Sequence, residues 1–320
     1  MITFGGHFSS IVDIRKNPVP GNYGYESARS CLFALIQAHR PQRIHIPNYI
    51  CTAIPDVIAL AGVQSVRYPI TAGFRPERPV VLNAGDWVLL VNYFGLTNTA
   101  VAEELATLPK SSVVTDCSQA FFEPANDCLA TIYSARKFLP VPDGGFISTD
   151  TPLPAETSDE EGSVNRSRYL LDRVHSEPEL SRQQYLQAEA ELERPSLRRL
   201  STFTLRTIET VDLDFIRARR RANFRILQRL AAINQLTLDL GEQVPLCYPL
   251  MVDDAERLRA ALLERRVFTP KYWPGVTPMN DFERRILEYT VFLPLDHRYT
   301  RDQMRYLVGL VTDILDGSTA

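Results

Sequence analysis

The sequence predicts an α/β protein built on a mostly parallel sheet, followed by a smaller α+β unit. Two observations carry this. Between residues 43 and 149, short apolar runs alternate with helical patterns, as βαβ units with buried parallel strands do. After residue 206 two strand–helix pairs follow a long helical stretch, which suits a small α+β unit. With 320 residues, and roughly 100–200 per domain, two domains are expected. We place a large α/β domain over 1–205 and a small α+β domain over 206–320.

The elements follow in order. Residues 1–25, with Pro18, Pro20, Gly21 and Gly24, read as an extended arm. In ESARSCLFALIQAHR, Ser27 is a helix cap and Cys31, Leu32, Leu35 and Ile36 form the apolar face. RIHIP is a strand, CTAIPDVIALAG a helix closed by Gly62, SVRYPI a strand and DWVLLVNYF a strong apolar strand. VAEELATL is a helix; SVVTDCS, ATIYSA and GGFIST are strands. The acidic, proline-bearing stretch 151–163 reads as an exposed loop. Residues 164–234 are helical and arginine-rich. In the remainder LTLDL, PLCYPLMV, FTPKYW and VFLPL read as strands, with helices over DDAERLRAALLERR and RDQMRYLVGLVTDIL.

Composition narrows the function classes. Apolar residues make up 45% and charged residues 23%, with 35 basic against 38 acidic side chains and a net charge of −3. There is no overall basic field for nucleic acid. The cluster RARRRANFR is balanced by Asp212 and Asp214, so it reads as a solvated or subunit-facing helix surface. No apolar run approaches the roughly 20 residues of a membrane helix. Cys31, Cys51, Cys117, Cys128 and Cys247 are odd in number and form no CxxC pair. They suggest reduced thiols in a cytoplasmic protein, with neither a disulfide framework nor a metal site. The lysines are Lys16, Lys110, Lys137 and Lys271. Chemistry that needs a neutral amine must use one of them, because arginine stays protonated.

The segment from Ser112 to Thr149 carries the chemistry. Asp116 falls at the carboxyl edge of its strand, where open α/β sheets bind ligands. Lys137 follows the next strand and precedes Pro142, Asp143, Gly144 and Gly145. Two readings stand at this point. Lys137 is either a solvated charge before a turn or the amine of a pyridoxal phosphate site, with Asp116 partnering the ring nitrogen. An ionised Asp116 would keep that nitrogen protonated, since an opposite charge favours the charged form.

SVVTDCSQAFF and YSARKFLPVPDGGFIST resemble the Asp–x–x–Gln and Ser…Lys…Gly-Gly motifs of the DegT/StrS-type sugar aminotransferases. ESARSCLFAL, IPNYICTAI, VNYFGL and FLPLDHRYT are similar to further landmarks of that family, in the same order. The resemblance implies fold type I of the pyridoxal phosphate-dependent transferases and pyridoxal 5'-phosphate as cofactor. It also implies a homodimer that moves an amino group from a donor such as glutamate to a nucleotide-linked keto sugar. An enzyme on a non-sugar substrate and a catalytically silent regulatory or scaffold relative are the alternatives.

The resemblance implies these residue roles. Lys137 would form the Schiff base and shuttle protons, and Asp116 would pair with the ring nitrogen. Gln119 and Tyr93 would lie beside the cofactor. Ala28, Arg29 and Ser30 would hold the phosphate at a helix start, with Ser134 adding a hydroxyl. Simpler roles remain open at the same positions: Ser27 and Ser30 as caps, Gln119 as a backbone partner, Tyr93 and Asn92 as core residues. Cys51 stands where the family usually places a ring-stacking aromatic, with Tyr49 two residues earlier.

Overall fold

The computed structural model describes residues 17–175 and 178–317; most of the expected N-terminal arm, including Lys16, lies outside them. Among the described residues a seven-stranded sheet runs in the order β1-β7-β6-β5-β4-β2-β3. The strands are β1 (Tyr23–Tyr25), β2 (Arg43–Pro47), β3 (Gln64–Tyr68), β4 (Asp86–Val91), β5 (Val113–Cys117), β6 (Ala130–Ser134) and β7 (Gly145–Ser148). From β3 through β6 all neighbours are parallel, while β7 is antiparallel to both β6 and β1. Helices α1 (Ala28–His39), α2 (Ala53–Leu60) and α3 (Asn98–Leu105) make the crossovers. All six residues of β4 and all five of β5 are buried. Their near-continuous apolar character follows, because both faces of a parallel sheet are covered.

The expected helix cap and apolar face are both present. Ser27 accepts a hydrogen bond from the Ser30 N–H, and Cys31, Leu32, Leu35 and Ile36 are buried. Gly145 sets the helix's distance from the sheet. A Cβ there would lie 2.2 Å from the Ser27 carbonyl carbon and 2.4 Å from the Ala28 nitrogen, so α1 begins in direct backbone contact with β7.

The stretch after β7 holds α4 (Glu160–Arg166), α5 (Arg168–Asp172), α6 (Pro178–Glu191), α7 (Thr202–Thr210) and α8 (Leu213–Leu227). The acidic stretch is therefore only partly loop. Asp159 accepts from the Gly162 N–H and starts α4 inside it, and acidic residues suit that first turn. Beyond α8, β8 (Tyr248–Met251) pairs antiparallel with β9 (Thr290–Leu293), flanked by α9 (Ala255–Glu264), α10 (Asp281–Tyr289) and α11 (Arg301–Leu315).

Three sequence expectations change here. LTLDL is not a strand, although Leu236 and Leu240 do point inward. Asn234 takes the edge of β8 instead: its side chain accepts from Met251 N–H and donates to the Pro249 carbonyl. FTPKYW is not a strand either. Consecutive Tyr272 and Trp273 both pack on rings, against Phe292 at 4.5 Å and Tyr49 at 4.6 Å, which the alternation of a strand would not permit. Helix α10 is an addition, capped by Asn280, which accepts from the Glu283 N–H.

At the amino ends of β2 and β4, Arg43 grips the buried Asp86 carboxylate with two donors at 2.8 and 3.1 Å. Those bonds from Arg43, with help from Asn83 and His45 and against the opposing effect of burial, hold Asp86 well below the usual carboxylate range. A depressed folded pKa stabilises the fold above the unfolded carboxyl pKa, roughly 4, and that contribution disappears as pH falls through the folded value. Asp86→Asn is expected to lower the melting temperature by a few degrees at pH 7. The gap from wild type should narrow near pH 3 in a calorimetric titration, and an equal gap at both pH values would contradict this.

Candidate active site

The carboxyl ends of the parallel strands meet at one edge. In register, Val91 lies beside Asp116, Cys117 beside Tyr133, and Ser134 beside Gly145. Asp116 is the penultimate residue of β5, and Lys137 closes a 3-10 turn (Ala135–Lys137) directly after β6. That turn is anchored on both sides. The Ala135 N–H donates to the Gly144 carbonyl at 3.0 Å. Phe138 is buried in an aromatic cluster with Phe121, Tyr133 and Phe146, and the Arg220 guanidinium lies over its ring at 4.7 Å.

Lys137 keeps access to solvent, yet protein surrounds its amine. Burial lowers its pKa below the ordinary lysine value; Asp116 and Cys51 oppose that, and the Arg136 and Arg29 guanidiniums reinforce it. Lys137 follows β6, the strand paired with β5 that carries Asp116, so the two lie at the same edge of the sheet. Asp116 is nearly buried, its Oδ1 accepting from the Ser118 N–H at 2.8 Å while Oδ2 receives no bond from the described residues. Cys117, beside it, is fully buried, and burial raises its thiol pKa.

At the start of α1, the Ala28 and Arg29 N–H groups find no acceptor among the described residues. Free N–H donors and the helix dipole favour a negative group there. Arg29 Nη1 donates to the Leu192 carbonyl at 3.0 Å, which holds its stem in place. Ser30 is turned inward: its hydroxyl pairs with Ser27 Oγ at 3.1 Å and accepts from the Ser196 N–H at 3.2 Å. Ser134 begins the lysine turn, half-exposed.

Gln119 and Tyr93 are both engaged within the fold. Gln119 Oε1 accepts from the Phe94 N–H at 2.8 Å. This supports a tight turn in which Phe94 and Gly95 both have positive φ, +59° and +66°. A Cβ on Gly95 would meet the Val244 and Gln119 carbonyl oxygens at 2.7 and 2.8 Å. The Tyr93 hydroxyl donates to the Tyr49 carbonyl at 2.7 Å, with its ring stacked 5.8 Å from Tyr49. Asn92, just beyond β4, donates its N–H to the Asp116 carbonyl, while its buried Nδ2 has no partner.

Sequence reasoning did not single out Arg136. It precedes Lys137, pairs with Glu189 on α6, and leaves its buried Nε without an acceptor. No spacing signal marked it, because Glu189 lies 53 positions away in a stretch read only as helical.

These residues could hold a heterocycle that carries a basic nitrogen and a phosphate. Asp116 Oδ2 would be the acceptor for a protonated nitrogen, the start of α1 with Arg29 the donors for a dianion, and Lys137 an amine at the same sheet edge. Among the described residues no three His, Cys, Asp or Glu side chains converge on a possible metal position.

The sheet topology defines an α/β fold with a mostly parallel seven-stranded sheet, and solved structures share it. CalS13, a sugar aminotransferase from Micromonospora echinospora, superposes with a TM-score of 0.64 over 91% of this chain and 86% of its own, at 15% identity. Spr1654, a putative sugar aminotransferase from Streptococcus pneumoniae in its PMP form, has a TM-score of 0.63, covering 93% and 88% at 15% identity. DesI, in the presence of its TDP-sugar product, has a TM-score of 0.64, covering 92% and 81% at 16% identity. No protein-family model matches the sequence, and no curated protein matches it. The likeness establishes the fold.

Proposed function

We propose that this chain is a pyridoxal phosphate-dependent aminotransferase of the DegT/StrS type. It passes an amino group from an amino acid such as glutamate to a nucleotide-linked keto sugar. The observation that supports the reading is the strand edge itself: Asp116 near the end of β5, Lys137 in the turn directly after the neighbouring β6, and the start of α1 packed on β7 next to it. When bound, the cofactor supplies an aldehyde for the amine and an electron sink for the substrate carbon. The remaining work belongs to the chain. Asp116 would keep the ring nitrogen protonated. The start of α1 and Arg29 would hold the phosphate and fix the ring's position. Lys137 would be the amine that accepts the aldehyde and the base that takes the proton from the donor's α-carbon; its lowered pKa leaves more free base for that role near neutrality. The solved state of DesI, with a TDP-sugar product, supports a nucleotide-linked acceptor.

The reaction type is tested by mixing the cofactor-loaded protein with glutamate, then with other amino acids. Loss of the visible cofactor absorbance with release of a keto acid is expected. If no amino donor does this while another substrate class turns over, the aminotransferase reading is wrong.

A homodimer is part of the same proposal. Leu171, Val174, Tyr185 and Leu186 are exposed on and around α5 and α6, the stretch that also reaches Arg136 through Glu189. Closed two-fold dimers are the commonest soluble oligomers. Light scattering at micromolar concentration should give twice the chain mass, and a fully active monomer would count against it. All five cysteines are free, in keeping with a cytoplasmic setting, and no described helix is long and apolar enough to cross a membrane.

A further inference from the structure

Two buried carboxylates lie under the start of α1. Glu26 is 7% exposed and Asp143 is 1% exposed. Both belong to the backbone that shapes the site: Glu26 immediately precedes the Ser27 cap, and its carbonyl accepts from the Gly144 N–H at 2.7 Å. Asp143 immediately precedes the Gly144–Gly145 turn that touches Ser27 and Ala28. Like charges repel strongly where water is excluded. Arg166 bridges the two, whereas Arg198 reaches Glu26 alone, with Nη1 4.0 Å from Oε1. Arg166, at the end of α4 and 6% exposed, donates through Nη2 to Glu26 Oε1 at 3.2 Å and to Asp143 Oδ2 at 2.8 Å. The remaining acceptors are also occupied. Ser196 Oγ donates to Glu26 Oε2 at 2.6 Å, and Thr204 Oγ1 donates to Asp143 Oδ1. Ser196 then donates its N–H to Ser30 Oγ, which closes the connection back to α1.

We propose that Arg166 is a positioning residue: by holding Glu26 and Asp143 together, it seats the start of α1 against Gly144–Gly145. This sets the phosphate cradle and, through the Ala135–Gly144 bond, the turn that carries Lys137. It rests on the cofactor reading above. Both bonds leave one nitrogen, Nη2, whose two protons serve one carboxylate each, and a guanidinium stays charged when buried, whereas a buried ammonium readily loses its proton. Without the guanidinium, two desolvated carboxylates face each other, and separating them opens the contact at Gly145.

The test uses the full chain with Arg166→Met and Arg166→Lys. Folding is followed by circular dichroism, and binding is measured for pyridoxal phosphate and for pyridoxal, which lacks the phosphate. Lys137 reactivity toward an amine reagent, without cofactor, is read by mass spectrometry as a ratio to exposed Lys271. Folded Arg166→Met should bind pyridoxal phosphate at least about tenfold more weakly, ~1.4 kcal/mol, with pyridoxal nearly unchanged and the Lys137/Lys271 ratio shifted severalfold. Arg166→Lys should fall between Arg166→Met and wild type. Wild-type phosphate discrimination and an unchanged labelling ratio in folded Arg166→Met overturn the proposal. If Arg166→Met does not fold, the same wild-type behaviour in Arg166→Lys overturns it. Should the wild-type protein take up no pyridoxal phosphate, the cofactor reading fails, and the labelling ratio still decides whether Arg166 places Lys137.

Discussion

Lys137→Ala is expected to abolish borohydride-stable attachment of pyridoxal phosphate and to lower turnover by about 10^2–10^4-fold, the scale of a lost proton-transfer residue. The cofactor should still associate reversibly, because the Ala28 and Arg29 N–H groups and the Arg29 side chain remain. Among the described residues only Lys110 and Lys271 could replace it, and neither is placed to do so. Lys110 pairs with Asp127 on the surface, and Lys271 faces Glu256 with its side chain 48% exposed. Peptide mapping after borohydride reduction checks the assignment. An adduct on Lys110 or Lys271 in the wild-type protein would refute it.

Asp116→Ala should retain cofactor through the phosphate end yet lose about 10^2-fold or more of its turnover. The reason is electrostatic. A carboxylate beside the ring nitrogen favours the protonated ring, and that ring draws electrons from the substrate carbon. Its removal deletes the partner without disturbing the strand, since Val91 and Ile132 hold β5 in register on either side. Absorbance titration with pyridoxal phosphate and steady-state turnover separate the two effects. Near-normal turnover in a cofactor-loaded Asp116→Ala protein would remove Asp116 from this role.

Much of the strand edge that forms the candidate site was legible along the chain. The strands and helices from 43 to 149 announce themselves by alternating apolar runs. Once the parallel order is recognised, the carboxyl ends of neighbouring strands must share an edge, which brings Asp116 and the turn after β6 together. The Ser27 cap and the apolar face of α1 were equally local. Errors gathered where tertiary contacts compete with pattern. Leu236, Leu238 and Leu240 repeat every second residue like a strand, yet the Asn234 side chain occupies the β8 edge they would need. Helix α10 carried a local signal that went unread: Asn280 followed three positions later by Glu283, a capping arrangement. Glu283 departs from that pattern by turning inward, accepting from the Asn48 side chain and from the Ile70 and Met279 N–H groups.

Residue order alone was enough for the α/β class, the strand-edge lysine and aspartate, and the capped helix that offers its start to an anion. Periodicity, capping and turn chemistry act over a few residues and leave their mark in any short window. The folded chain decided the rest. It gave Gln119 to the Phe94 N–H and tied α4 to Glu26 and Asp143 through Arg166. Arg166 and Glu26 are 140 positions apart, and Asn48 and Glu283 are 235 apart. Such pairs form because a buried charge or amide must find a partner wherever the packed elements bring one within reach, and no local pattern records which partner that is.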